Sequence, residues 1–109
     1  MLLETIVCSG IAGSEKNLLR MLNVRQKFRK RCEGCLGAWV APSSDGQPIY
    51  LVQSIYTDME SWKSISEKMQ NEIDEKDGGL ESHLSAPPLV GMFDLNREVA
   101  RSEFGISDN

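Results

Sequence analysis

Apolar residues fall along the chain in two alternating rhythms. Leu2–Ser9 is rich in β-formers, with Ile6 and Val7 at its centre, and Gly10 and Gly13 follow it, which predicts a strand and then a turn. From Ser14 the rhythm changes. Leu18, Met21, Leu22, Phe28 and Cys32 recur at helical spacing, so residues 14–33 are predicted as an amphipathic helix. Ser14 is the expected N-cap, Glu15 suits the first turn, and Lys27, Arg29, Lys30 and Arg31 complement the negative end of the dipole. Gly34 is the expected terminator.

Cys35–Ala41 reads as a second strand and Ile49–Tyr56 as a third, joined by the turn-rich Pro42–Pro48 segment. Thr57-Asp-Met-Glu60 fits a capping box with Thr57 as N-cap. Trp62, Ile65, Met69 and Ile73 then form one apolar stripe of a second helix ending near Asp74. A short helical turn within Leu80–Ser85 precedes Pro87-Pro88, and Leu89–Leu95 reads as a fourth strand. Residues 1–96 are expected to form one domain, and 97–109 a polar C-terminal tail. The order βαββαβ predicts an α+β, ferredoxin-like domain with a four-stranded antiparallel sheet.

The third strand is apolar at both parities: Ile49, Leu51 and Ile55 on one face, Tyr50, Val52 and Tyr56 on the other. Such a strand should be covered on both faces. Two helices cover only one face of the sheet. The same sheet from another copy is the simplest second cover, so a homodimer joined through sheet faces is expected.

At 109 residues the chain can bury a core without staples. Its net charge of −4 gives no overall reason to expect nucleic acid. The basic residues Arg25–Arg31 spread around the whole helix instead of forming one face, which also argues against that partner. No apolar run is long enough to span a bilayer, and the N-terminus lacks the plan of a signal peptide. Three cysteines without such a signal suggest reduced thiols and a cytoplasmic setting.

Against this order, Glu33-Gly-Cys-Leu-Gly37 resembles the helix-to-strand junction of the antibiotic biosynthesis monooxygenase family. Tyr50–Trp62 resembles that family's third strand running into its second helix. The resemblance spans roughly residues 2–95. It implies a ferredoxin-like monomer, a dimeric α/β barrel, and a small pocket between helices and sheet. It also implies oxygenation of a small aromatic or quinol-like molecule with no metal or organic cofactor. The chain departs from the family where Ser54-Ile55-Tyr56 replaces Glu-x-Trp and where Ile65 stands in place of a histidine. Glu72 replaces the histidine of heme-degrading members, and Leu2–Ser9 lacks their asparagine, so heme degradation is disfavoured. These gaps keep open a non-catalytic, dimeric ligand-binding or accessory domain.

Five residues are candidates for the site. His83, the lone histidine, is a candidate general base or a solvated loop residue. Trp62 and Trp39 are core residues or walls that stack on a planar ligand. Tyr56 is a candidate partner for a substrate phenol or a dimer-packing residue. Arg25 sits on the apolar stripe of the first helix, so it either escapes to solvent or meets an anion, such as an acidic ligand or a phenolate. Cys32-x-x-Cys35 lies at a helix C-terminus, which works against a thiolate. Only Cys8 and His83 remain to complete a zinc site, so no metal is expected.

Overall fold

The computed structural model describes residues 1–107. Four strands, β1 (Leu2–Ser9), β2 (Cys35–Pro42), β3 (Ile49–Tyr56) and β4 (Leu89–Asp94), form one antiparallel sheet in the order β2-β3-β1-β4. β1 pairs along its whole length with β3, Leu2 opposite Tyr56 and Ser9 opposite Ile49. The two central strands are those with apolar residues at both parities. This is the α+β, ferredoxin-like topology expected from the element order.

One sheet face carries Leu2, Glu4, Ile6 and Cys8 of β1 and Tyr50, Val52, Ser54 and Tyr56 of β3. Helices α1 (Glu15–Arg31) and α2 (Met59–Met69) cover it. The core has two parts. Leu18 and Leu22 of α1 meet Cys8, Tyr50 and Val52, while Ile65 of α2 meets Leu2 and Tyr56.

The helix ends differ in detail from the sequence reading. The side chain of Ser14 makes no capping bond; Glu15 instead accepts from the Gly13 N–H at 2.9 Å. Asp58, not Thr57, caps α2, accepting the Ser61 N–H at 2.8 Å, and the Thr57 hydroxyl is engaged with that of Ser61. Beyond Met69 the helix does not stop near Asp74. It passes through a π turn, Gln70–Asp74, into a last turn, α3 (Glu75–Asp77), and ends at Gly78 with φ +83°. A π turn admits one extra residue and re-aims the helical residues beyond it. Here it sets Asp74 and Asp77 toward α1.

The expected tail contains a helix. Asn96 caps α4 (Arg97–Phe104) by accepting the Glu98 N–H at 2.7 Å, and Gly105 ends it with φ +66°. Asp108 and Asn109, the rest of that tail, lie outside the described residues. Phe104 stacks on Trp39 with ring centroids 6.1 Å apart, and Ile106 lies beside Gly37. Trp39, Gln53 and Thr5 face away from α1 and α2, joined across the strands by side-chain hydrogen bonds of 3.1 and 3.2 Å. The chain's own C-terminal segment therefore covers the β2 side of the second face. On that face Ile55 is fully buried, while Leu89, Phe93 and Ile49 stay exposed.

Candidate functional site

Between the helices and the sheet lies a cleft of about 630 Å³. Its floor is Ile6, Cys8, Val52 and Val90 of the sheet, and its walls are α1 and α2 with the turns after them. Leu80, Leu84 and Pro88 close one end. That end is tied to β1: Ser85 N–H donates to the Ser9 carbonyl at 2.8 Å, and Gly10 bridges Leu84. The size suits a small organic ligand, and the lining is mainly apolar. Asp74, Glu75 and Glu81 also line it.

Two arginines of α1 reach the cleft, and their states differ. Arg25 is buried and its guanidinium is committed. Nε and Nη2 donate to Asp74 at 3.0 and 2.7 Å, Nη2 also to Asp77 at 2.8 Å, and Nη1 to the Met21 carbonyl at 3.2 Å. Burial alone pulls the Arg25 pKa down; hydrogen bonds and charge from Asp77 and Asp74 outweigh it and raise the pKa. The anion expected for Arg25 is thus supplied by the chain's own α2–α3 region.

Arg29, one turn on, has no carboxylate partner within salt-bridge distance among the described residues. Its Nη1 donates to Gln26 Oε1 at 2.6 Å, and its buried Nε finds no acceptor. Gln26 is itself fixed, its Nε2 donating to the Gln53 carbonyl at 2.8 Å and to Ser54 Oγ at 3.0 Å.

A buried polar cluster lies next to the cleft floor, two residues along β1 from Ile6. Glu4 is 6% exposed. Its Oε1 accepts from the Tyr56 hydroxyl at 3.2 Å and its Oε2 from the Trp62 indole N–H at 2.8 Å. Burial pushes the Tyr56 hydroxyl up to about 12; nearby Arg29 counters the rise and Glu4 adds to it. Tyr56 is therefore a neutral donor throughout the ordinary pH range.

Of the five sequence candidates, Arg25 alone lines the cleft. Tyr56 and Trp62 are brought together on Glu4, beside the cleft but not in its lining. Trp39 lies on the opposite sheet face under Phe104. His83 ends a short 3₁₀ turn, Glu81–His83, its carbonyl accepting from Ile11 N–H at 2.9 Å; its ring does not line the cleft, although Glu81 and Leu84 beside it do. The sequence reading missed Arg29, Gln26 and Glu4. Only Glu4 carried a signal, as an acid at the inward parity of a strand otherwise bearing Leu2, Ile6 and Cys8.

The cysteines are free thiols. Burial raises the Cys8 and Cys35 pKa values, and Cys32 and Cys35 donate to the carbonyls of Phe28 and Gly37. Among the described residues, no group of three or more His, Cys, Asp or Glu is placed to hold a metal ion. No helix among them is long and apolar enough to cross a membrane.

No protein-family model matches the chain. No curated protein matches it either. Solved structures do. One described as an antibiotic biosynthesis monooxygenase superposes with a TM-score of 0.75 at 9% identity, over 88% of this chain and 99% of that one. A Nitrosomonas europaea protein assigned to the same group superposes with a TM-score of 0.75 at 8% identity, covering 87% and 98% of the two chains. Rv0793 from Mycobacterium tuberculosis gives 0.74 at 11% identity, covering 87% and 94%. The chain has the ferredoxin-like fold of these solved structures, two of which are described as antibiotic biosynthesis monooxygenases.

Proposed function

We propose that this chain is an antibiotic-biosynthesis-monooxygenase-type protein that binds a small aromatic or quinol-like molecule in the helix–sheet cleft and oxygenates it without an organic cofactor. The apolar cleft of about 630 Å³ carries the reading. A ring seated on Ile6, Val52 and Val90 is removed from water. Desolvation strengthens any charge interaction its oxygen makes with Arg29 of α1.

In the reaction proposed, an activated phenol loses a proton to give a phenolate–carbanion. Molecular oxygen adds at that carbon. That carbon, a ring C–H in the phenol or the CH₂ of its keto tautomer, then becomes C=O, and the second oxygen atom leaves as water. The chain's part is to seat the ring, exclude water and favour the anion. Glu75 and Glu81, in the cleft lining, are the nearest candidates to pass the proton to solvent.

The working unit in this reading is a homodimer joined through the sheet faces, where Leu89 and Phe93 are 73% and 54% exposed. Free thiols agree with a cytoplasmic setting.

The test is oxygen uptake with a panel of dihydroxynaphthalenes and anthrones, comparing wild type with Ser66→Trp, which fills the cleft from α2. Uptake by wild type and its loss in the variant are expected. Retained uptake in Ser66→Trp would place the chemistry elsewhere. A second reading, a non-catalytic ligand-binding domain, is favoured by two observations: no imidazole lines the cleft, and the Tyr56 hydroxyl is pushed up to about 12. Tight binding of panel members without oxygen uptake would select it.

A further inference from the structure

We infer that the cleft is selective for aromatic ligands bearing an anionic oxygen group, a ring carboxylate in particular, and that Arg29 is the residue that reads it. The inference rests on the cleft being a ligand site, as proposed above, and names the ligand's charge.

Three observations converge. First, Arg25 cannot serve. It makes four hydrogen bonds, three of them to Asp74 and Asp77. Two carboxylates against one guanidinium leave that end of the cleft negative. Second, Arg29 lines the same cleft and, among the described residues, has no carboxylate partner and no acceptor for its buried Nε. A buried donor without an acceptor costs on the order of 1–3 kcal/mol, which is recovered when a small shift of the side chain brings Nε to a ligand oxygen. Guanidinium presents a planar fork that matches a carboxylate better than it matches a lone hydroxyl.

Third, the group is held in place. Gln26 accepts from Arg29 at 2.6 Å and is anchored by its own amide to β3 at Gln53 and Ser54. An arginine fixed in this way loses less entropy on binding than a free surface one. Ser66 of α2 lines the same cleft and offers a hydroxyl to a second oxygen.

The acids in the lining set the limit on charge. Glu75 and Glu81 are exposed and Asp74 is half-buried. They disfavour a dianion. A monoanionic ring, with its carboxylate at Arg29 and its apolar edge on Val52 and Val90, fits both signs.

The experiment is a calorimetric titration at pH 7.5 with two probes of one ring size, 2-naphthol and 2-naphthoate. Wild type, Arg29→Gln and Arg29→Lys are compared. Wild type should bind naphthoate at least tenfold more tightly than naphthol. Arg29→Gln should abolish the difference by weakening naphthoate at least tenfold more than naphthol, and Arg29→Lys should restore part of it. Equal affinities in wild type, or a preference that survives Arg29→Gln, would overturn the inference and leave the cleft reading standing. Failure of both probes to bind wild type would bring down the cleft reading and the inference with it. Circular dichroism and thermal melts check that each variant is folded.

Discussion

Arg25 and Asp74 stand 49 positions apart and meet at 2.7 Å. The contact fastens the last turns of the α2–α3 helix to α1 and so holds one wall of the cleft. Its energetics are asymmetric. Arg25 is 2% exposed, whereas its carboxylate partners are about one-third open to solvent. Removing both partners strands a buried cation. Asp74→Asn with Asp77→Asn should therefore cost about 2–3 kcal/mol in urea unfolding, discounted from the fully buried case because the carboxylates are partly solvated. Arg25→Met, which leaves those carboxylates free to hydrate, should cost clearly less. Equal losses would show that the pair itself, rather than the stranded charge, sets the energy.

The same contact sets a pH dependence. The hydrogen bond from Arg25 holds the Asp77 carboxyl below the ordinary aspartate value. A depressed acid stabilises the folded state above its unfolded pKa, and this contribution fades as pH falls through the folded value. The stability gap between wild type and Asp77→Asn should accordingly be full near pH 6 and close on the acid side of about pH 4. Thermal melts at fixed ionic strength measure it. A gap that is constant down to pH 2 would mean that Asp77 does not couple to folding through its charge.

Glu4, Tyr56 and Trp62 form the second tie between α2 and the sheet. Glu4→Leu leaves the Tyr56 hydroxyl and the Trp62 indole N–H without their acceptor, which should cost about 2–3 kcal/mol. Glu4→Gln, which keeps an acceptor, should cost less. Tyr56, raised to about 12, gives a spectroscopic check. An acid raised in the folded state stabilises it below the unfolded pKa, and that contribution is lost as pH rises through the folded value. Absorbance at 295 nm should show a tyrosinate step near 12 that vanishes in Tyr56→Phe.

How much of this was legible in the sequence depends on where each signal resides. β1 and β3 were readable to the residue because each carries β-branched or aromatic residues at successive positions and abuts a turn former, Gly10 after β1 and Pro48 before β3. α4 was not. Half of its Arg-Glu-Val-Ala-Arg-Ser-Glu-Phe run is charged, and Ala100 is buried only because the tertiary fold places it there. Its N-cap, Asn96, and its terminating Gly105 were the local clues. At the site, Arg25 stood out because it interrupts an apolar stripe. Arg29 did not, since a basic residue in a last helical turn already has a sufficient local explanation in the dipole. Its lack of an acid depends on which residues two other elements bring near it, and no spacing within α1 encodes that.

Gly34 joins α1 to β2 at φ +96°, and a Cβ there would lie 2.5 Å from Ser61 Oγ in the first turn of α2. Two penalties coincide. Gly34→Ala should destabilise by about 2–4 kcal/mol, combining backbone strain with the clash. Adding Ser61→Gly removes the clash but not the strain, so the pair should recover only part of the loss in a double-mutant cycle. Full recovery would mean that the positive φ costs nothing here.

The C-terminal segment supplies the last test, because it bears on what covers the second sheet face. Phe104 stacks on Trp39 at 6.1 Å, yet Phe104 is still 44% exposed. Phe104→Ala should cost about 1 kcal/mol and shift Trp39 fluorescence to the red, read in a Trp62→Phe background. Truncation after Asn96 goes further, uncovering Trp39, Gly37 and the buried Ile55 face together. If α4 acts within its own chain as a cover, the truncated protein has a larger apolar face and should self-associate more tightly or bind a hydrophobic dye. If α4 instead contributes to contact with a second copy, truncation should weaken the proposed self-association. Sedimentation equilibrium separates the two by the sign of the change in association constant. The contacts with Trp39 and Gly37 predict the first outcome, and a weakened dimer would assign α4 to the interface.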